Sequence, residues 1–256
     1  MKILKFKKQS KDKYKLYLDN NSDITLYEDV IIKNNLLITK EISDELLEAL
    51  KKQNNDMYAY TLALGYISVK MRSIKEINDY LIKKGFNNLV ANKVSERLIK
   101  EGYLNDLKYA KSFINDSMNL TNKGPQKIKM ELIKYGVNKD IIESEIALID
   151  QRKVEEKLNK LIDKELKIKK GSQNAIKIKL INHFVNLGYS KDLVTDILMG
   201  KEITSDKSKL KKDYEKLYNK YKVKYNGQEL LYFISQKLYS KGYTASDIKE
   251  ILKEEN

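Results

Sequence analysis

The hydrophobic pattern changes once along the chain, near residue 50. Before that point apolar residues alternate with polar ones, as at Tyr14, Leu16 and Leu18, which is the period of half-buried strands. Ser43 is placed to cap a helix that continues through Lys52. The other elements predicted for this segment are strands around residues 3–6, 14–18 and 24–26, a turn at 19–23, a short helix at 28–34 and an extended piece at 36–38.

From residue 56 onward the apolar residues recur three and four positions apart, the spacing of amphipathic helices. One boundary is marked by Pro125, the only proline, which suits a first helical position because its fixed φ is already helical. The pattern predicts helices in sets of three: 57–71, 74–84 and 89–100; 106–120, 125–135 and 139–149; 152–168, 174–187 and 191–199; 207–221, 228–240 and 245–253.

The same short pattern surrounds four glycines, which are 51, 52 and 54 residues apart. Each glycine follows an apolar residue four positions earlier, precedes another apolar residue, and stands two positions before Asn, Ser or Thr, which are good helix N-caps. Every one of these positions has its own physical role, so the coincidence indicates internal repeats. The four glycines are Gly85, Gly136, Gly188 and Gly242.

We therefore predict a mainly α protein in which tandem three-helix repeats form an elongated curved solenoid behind a small β-rich N-terminal extension. A β-rich segment of this size buries little apolar surface alone, so it is expected to pack on the first repeat. The predicted domains are the extension at 1–55 and repeats at 56–104, 105–150, 151–200 and 201–256.

The chain has a formal charge of +14, and 47 of its 50 basic residues are lysine. Such a charge favours an anionic partner, although an AT-rich genome would also enrich lysine, asparagine and isoleucine. The lysines are clustered: residues 122–139 carry five against one acid, residues 207–224 carry eight against two, and residues 68–100 carry eight basic residues against three acids. Stacked repeats would align these groups into a basic stripe suited to a phosphate backbone or an anionic groove.

No arrangement of residues typical of an active site is present. Cysteine is absent, and the only histidine, His183, precedes the apolar Phe184 and is expected to be a partly exposed helix residue. Gly124-Pro125 beside Lys123 lacks the second glycine and the Lys-Ser/Thr pair of a P-loop. We expect no enzyme activity, no cofactor and no metal, and the 18 tyrosines are expected mainly to pack between helices. Because no run of eighteen apolar residues occurs, we expect a soluble cytoplasmic protein without a membrane partner.

Several segments resemble the RecX family of recombination regulators, most closely within residues 56–150. They are Lys84-Gly85-Phe86, the sequence EGYLND at 101–106, Tyr109-Ala110, and Lys123-Gly124-Pro125 followed by Gly136-Val137. The resemblance implies tandem three-helix modules and a non-enzymatic protein that binds the RecA recombinase filament on DNA. It implies inhibition of the recombinase, ATPase and coprotease activities of RecA, with weaker contact to single- or double-stranded DNA, and we expect a monomer.

Six basic residues near the best-matched motifs form the predicted partner and DNA contact. Several family members have arginine where this chain has lysine, which keeps the charge but removes the planar fork that binds phosphate or carboxylate with two hydrogen bonds. The six residues are Arg72, Arg97, Lys123, Lys127, Lys129 and Lys134.

Two alternatives stay open. A free-standing nucleic-acid-binding protein would bind naked DNA tightly without a partner, but no helix carries a convincing set of base-reading side chains. A scaffold without nucleic acid would show little salt dependence, and the basic clusters argue against it.

Overall fold

The computed structural model describes residues 1–254, in which three strands are followed by helices. The N-terminal elements are β1 (Ile3–Lys8), β2 (Lys13–Leu18), β3 (Asp23–Tyr27), α1 (Glu28–Lys33), α2 (Leu36–Thr39) and α3 (Asp44–Ile67). The remaining helices are α4 (Ile74–Lys83), α5 (Asn88–Lys100), α6 (Asp106–Leu120), α7 (Pro125–Lys134), α8 (Lys139–Ala147), α9 (Gln151–Leu166), α10 (Gln173–Asn186), α11 (Lys191–Met199), α12 (Lys207–Tyr221), α13 (Gly227–Ser240) and α14 (Ala245–Glu254).

The three strands form an antiparallel meander in the order β1-β2-β3. Alternation places Leu16 and Leu18 of β2 on the buried face, where they join Leu26 of β3 in a core that also takes Leu50 of α3. The side-chain carbonyl oxygen of Asn54 in α3 accepts from the Tyr27 backbone amide at 2.9 Å and so ties the helix to the sheet. The extension therefore closes its core with the first half of α3, because three short strands cannot close one alone.

Two local predictions were wrong. The helices predicted to end at Lys52 and to begin at residue 57 are one continuous helix, α3, which ends at Ile67 rather than at Met71. The side chain of Asn54 is hydrogen-bonded to backbone groups of β3, so it does not compete for the helix backbone, and the helix continues through this position. The predicted extended piece at 36–38 is the short helix α2.

The tandem three-helix organisation is confirmed. Each of the four repeat glycines has a positive φ, between +77° and +94°, and ends the second helix of its set. The Asn87 side chain then accepts from the Val90 amide at 3.0 Å to cap α5, and the Ser190 side chain caps α11 in the same way. Because residues other than glycine disfavour a positive φ, the backbone conformation of this turn favours glycine.

Three of these glycine turns also form a hydrogen bond with the set that precedes them. In each case the donor lies at the start of the second helix of that preceding set. The Ser73 hydroxyl, which caps α4, donates to the carbonyl of Tyr135 at 2.7 Å, and the Ser172 hydroxyl, which caps α10, donates to the carbonyl of Lys241 at 2.6 Å. At the start of α7 the Gly124 amide donates to the Leu187 carbonyl at 2.7 Å. In all three contacts the acceptor is the carbonyl of the residue just before a repeat glycine, whereas the donor is a serine hydroxyl in two of them and a backbone amide in the third.

The chain divides into two compact units, which are residues 1–110 with 134–138 and residues 111–133 with 139–254 of the described part. The first unit contains the sheet core and a second core built around Ala63, Ile77 and Leu98. The second contains cores around Phe184 and Ile234. Among residues 1–254, no helix has both the length and the apolar character needed to cross a membrane.

Candidate nucleic-acid and protein interface

Arg97 lies on α5 in the first unit, over the ring of a tyrosine. Its guanidinium carbon is 3.8 Å from the centroid of the Tyr60 ring, and its Nε donates to the Glu101 carboxylate at 2.8 Å. The Tyr60 hydroxyl donates to the same carboxylate at 2.5 Å, and burial together with this bond raises the pKa of Tyr60 to about 12. Arg97 therefore contacts both a ring and a carboxylate, while its side chain is 45% exposed.

Arg72 is much less accessible. Its side chain is 11% exposed, stacks 3.7 Å above the centroid of the Tyr66 ring, and pairs with Glu76 at 3.2 Å. Glu76 also accepts from the backbone amide of Ser73 and completes the capping box of α4. The charge of Arg72 is thus used inside the first unit, to fix the start of α4.

Lys123 and Lys129, in the second unit, each have an acidic partner. The Lys123 ammonium lies 2.5 Å from the Glu131 carboxylate, and the Lys129 ammonium lies 3.2 Å from that of Glu143. About a third of the side-chain surface of each lysine is exposed to solvent. Because each lysine is paired with a glutamate, the two add little net charge to the surface around them.

Lys127 and Lys134 are exposed and form no ion pair with any of the residues that the structure describes. Lys134 belongs to the first unit, where its carbonyl accepts from the Lys75 ammonium at 3.2 Å. A groove forms at this point, and its basic lining residues are Lys75, Lys83, Lys84 and Lys134.

The structure divides the six predicted residues between the two units. Arg72, Arg97 and Lys134 belong to the first unit, and Lys123, Lys127 and Lys129 to the second. Within the first unit it adds Lys75, Lys83 and Lys84 beside Lys134. The sequence indicated these three lysines only through the high number of basic residues in 68–100. That number does not show which of the basic residues line the same groove.

The prediction for tyrosine is confirmed at several buried positions. Tyr109, Tyr189 and Tyr243 are at most 6% exposed, whereas Tyr103 is 54% exposed. Burial raises the pKa of Tyr189 to about 12, and its hydroxyl has no hydrogen-bond partner in the described structure.

His183 is exposed on α10, with its ring edge-on to Phe184 at 5.0 Å between centroids. Within residues 1–254, no group of three histidine, cysteine, aspartate or glutamate side chains is placed to hold a metal ion.

Two family models match the chain. The first three-helix domain of RecX matches residues 59–98, and the second three-helix domain matches residues 105–144. Both matches lie within the segments predicted as the first two repeats, 56–104 and 105–150.

Relatives and solved structures extend the similarity. The chain is 36% identical to the regulatory protein RecX of Streptococcus uberis and 27% identical to that of Staphylococcus haemolyticus, covering 99% and 98% of this chain and 99% and 96% of those proteins. A crystal structure of a regulatory protein RecX superposes with a TM-score of 0.69 at 22% identity, over 78% of this chain and 99% of the other, which supports the fold. The structure of RecX from Lactobacillus salivarius gives 0.53 at 27% identity, over 58% of this chain and 97% of the other. The chain therefore belongs to the RecX family of regulatory proteins.

Proposed function

We propose that this chain binds the RecA recombinase filament on DNA and inhibits its recombinase, ATPase and coprotease activities, and so modulates recombination and DNA repair. The observation that carries the proposal is the match to regulatory proteins named RecX over 99% of both chains. The protein acts by binding rather than by catalysis, works in the cytoplasm as a monomer, and contacts DNA more weakly than it contacts the filament.

The arrangement of the repeats supports binding to a repeated partner. Successive three-helix sets within a unit are joined by hydrogen bonds of one kind, such as those from Ser73 to Tyr135 and from Ser172 to Lys241. Each set also carries its own lysines. A filament repeats the same surface in each subunit, so several modules can bind it together with an affinity greater than that of one module.

Arg72, Arg97, Lys123, Lys127, Lys129 and Lys134 are the proposed contacts. Lys127 and Lys134 can bind directly, because both are exposed and unpaired among the described residues. Lys123, Lys129 and Arg97 would exchange a carboxylate partner for the filament. Arg72 would have to leave both Glu76 and Tyr66.

The test is cosedimentation of the full chain with RecA assembled on single-stranded DNA, compared with naked single-stranded DNA. We expect tighter binding to the filament, and a loss of about tenfold or more for Lys127→Glu/Lys134→Glu. Lys5→Glu/Lys7→Glu makes the same change of charge at exposed positions of β1 and should stay within about twofold of wild type.

Equal binding to naked DNA and filament would instead favour the free-standing nucleic-acid-binding protein. Absence of binding to both would refute the proposal and leave a scaffold.

A further inference from the structure

Helix α9 in the second unit carries four lysines on one face, at spacings of four, three and four residues. At 1.5 Å of rise per residue they extend along roughly 16 Å of the helix. The end of α6 and the turn after it, residues 118–122, face these lysines across an open cleft. The four residues are Lys153, Lys157, Lys160 and Lys164.

Lys157 differs from the other three because its ammonium is hydrogen-bonded within the protein. Its ammonium donates to the carbonyls of Lys123 at 3.1 Å and Ser117 at 3.4 Å, and burial lowers its pKa. The Ser117 carbonyl lies in the last turn of α6, where carbonyls lack helical partners and attract a cation. Lys157 therefore fixes α9 against the end of α6 and sets the cleft.

Lys153, Lys160 and Lys164 are exposed and form no ion pair with other described residues. Among the described residues that line the cleft, Glu156 is the only one with an acidic side chain. Elsewhere in the second unit, Lys123 and Lys129 are neutralised by glutamates. The cleft thus keeps a positive charge along its length.

We propose that this cleft binds the sugar-phosphate backbone of a nucleic acid through Lys153, Lys160 and Lys164, without reading its sequence. Three point charges in line suit a polymer with regularly spaced negative charges, and Asn119 and Asn122 supply amides of the kind that contact phosphate. Arginine is absent from the described residues that line the cleft, so these residues do not provide the planar fork that pairs with carboxylates or guanine. Only the identification of this nucleic acid as the DNA of the filament rests on the proposed function.

The test is fluorescence anisotropy of the full chain with a labelled single strand and with a labelled duplex, each at several salt concentrations. The variant is Lys153→Gln/Lys160→Gln/Lys164→Gln, which leaves the structural Lys157 in place. The control Lys5→Gln/Lys7→Gln/Lys11→Gln removes the same charge from exposed positions of the N-terminal extension. Far-UV circular dichroism establishes that both variants are folded.

We expect the cleft variant to bind at least about tenfold more weakly at low salt, with the control within about twofold of wild type. The slope of log affinity against log salt should fall by about two for the single strand, since each lost phosphate contact contributes about 0.7. Equal losses in the two variants, or no binding by wild type at low salt, would overturn the inference.

A parallel assay of RecA ATP hydrolysis separates the two proposals. DNA binding through the cleft without inhibition by wild type would refute the proposed function and retain the inference. Unchanged DNA binding with lost inhibition in the cleft variant would show that the occupant is an acidic protein surface, and would overturn the inference.

Discussion

Substitution of Gly188 by alanine tests whether a repeat glycine is required by close packing against a neighbouring helix in addition to its positive φ. Gly188 has a φ of +91°, and a Cβ there would lie 2.2 Å from the backbone nitrogen of Lys127. Gly85 has nearly the same φ, +94°, in the equivalent turn of the first set, but a Cβ there would meet no described atom within 4 Å. The two glycines therefore share a positive φ, but only at Gly188 would an added Cβ collide with a neighbouring backbone.

The expected cost follows from these two terms. An L-residue in the left-handed region costs about 1–2 kcal/mol, which applies to both Gly85→Ala and Gly188→Ala. The overlap at Gly188 involves backbone atoms that cannot rotate away, and overpacking of this kind adds about 1–3 kcal/mol. Gly188→Ala should therefore be the more destabilising of the two by about 1–3 kcal/mol.

The assay is urea unfolding followed by circular dichroism, together with amide hydrogen exchange of peptides that cover each turn. Hydrogen exchange is needed because two compact units need not unfold in one transition. Gly188→Ala should speed exchange in α7 and α10, whereas Gly85→Ala should affect α4 and α5 only mildly. Equal costs at the two positions would refute the close contact at Gly188.

Two further predictions concern polar groups in the second unit. Burial alone would raise the pKa of Asp213, but hydrogen bonds from Lys241 and Tyr243 hold that pKa below its ordinary value. The unfolded chain therefore binds the proton more readily than the folded chain, so this stabilisation is present above about pH 4 and is lost as pH falls through the folded pKa. Asp213→Asn should make the stability depend less on pH in acid unfolding curves. An unchanged pH dependence in this variant would contradict the prediction. Ser172→Ala removes an N-cap, costing about 1 kcal/mol, and leaves the Lys241 carbonyl without its donor, costing about 1–3 kcal/mol more. Ser190→Ala removes only the cap of α11, so equal losses in thermal unfolding would show that the bond to Lys241 contributes nothing.

Repetition made most of the helical fold predictable from the sequence. The four repeat glycines and their caps recur at nearly constant spacing, and each reports a local backbone requirement that sequence alone reveals. The continuity of α3 could not be predicted in this way. Asn54 stays helical because its side chain bonds to Tyr27 and Thr25, residues almost thirty positions away.

The candidate site was less predictable, because a count of charges does not show which charges are already paired. The pairs Arg72–Glu76 and Arg97–Glu101 have the spacing of helical neighbours and could have been anticipated. The pair Lys123–Glu131 spans eight residues and depends on how the turn before α7 folds back. The stacking of Arg72 on Tyr66 likewise depends on the packing of α3 beside α4.

The central claim is tested most directly by titrating the purified full chain into RecA assembled on single-stranded DNA while ATP hydrolysis is followed. A parallel titration measures binding to the same DNA without RecA. We predict that hydrolysis is lost at or below equimolar protein, under conditions where naked DNA is bound only weakly. Unchanged hydrolysis at saturating protein would contradict the proposed inhibition of the RecA filament.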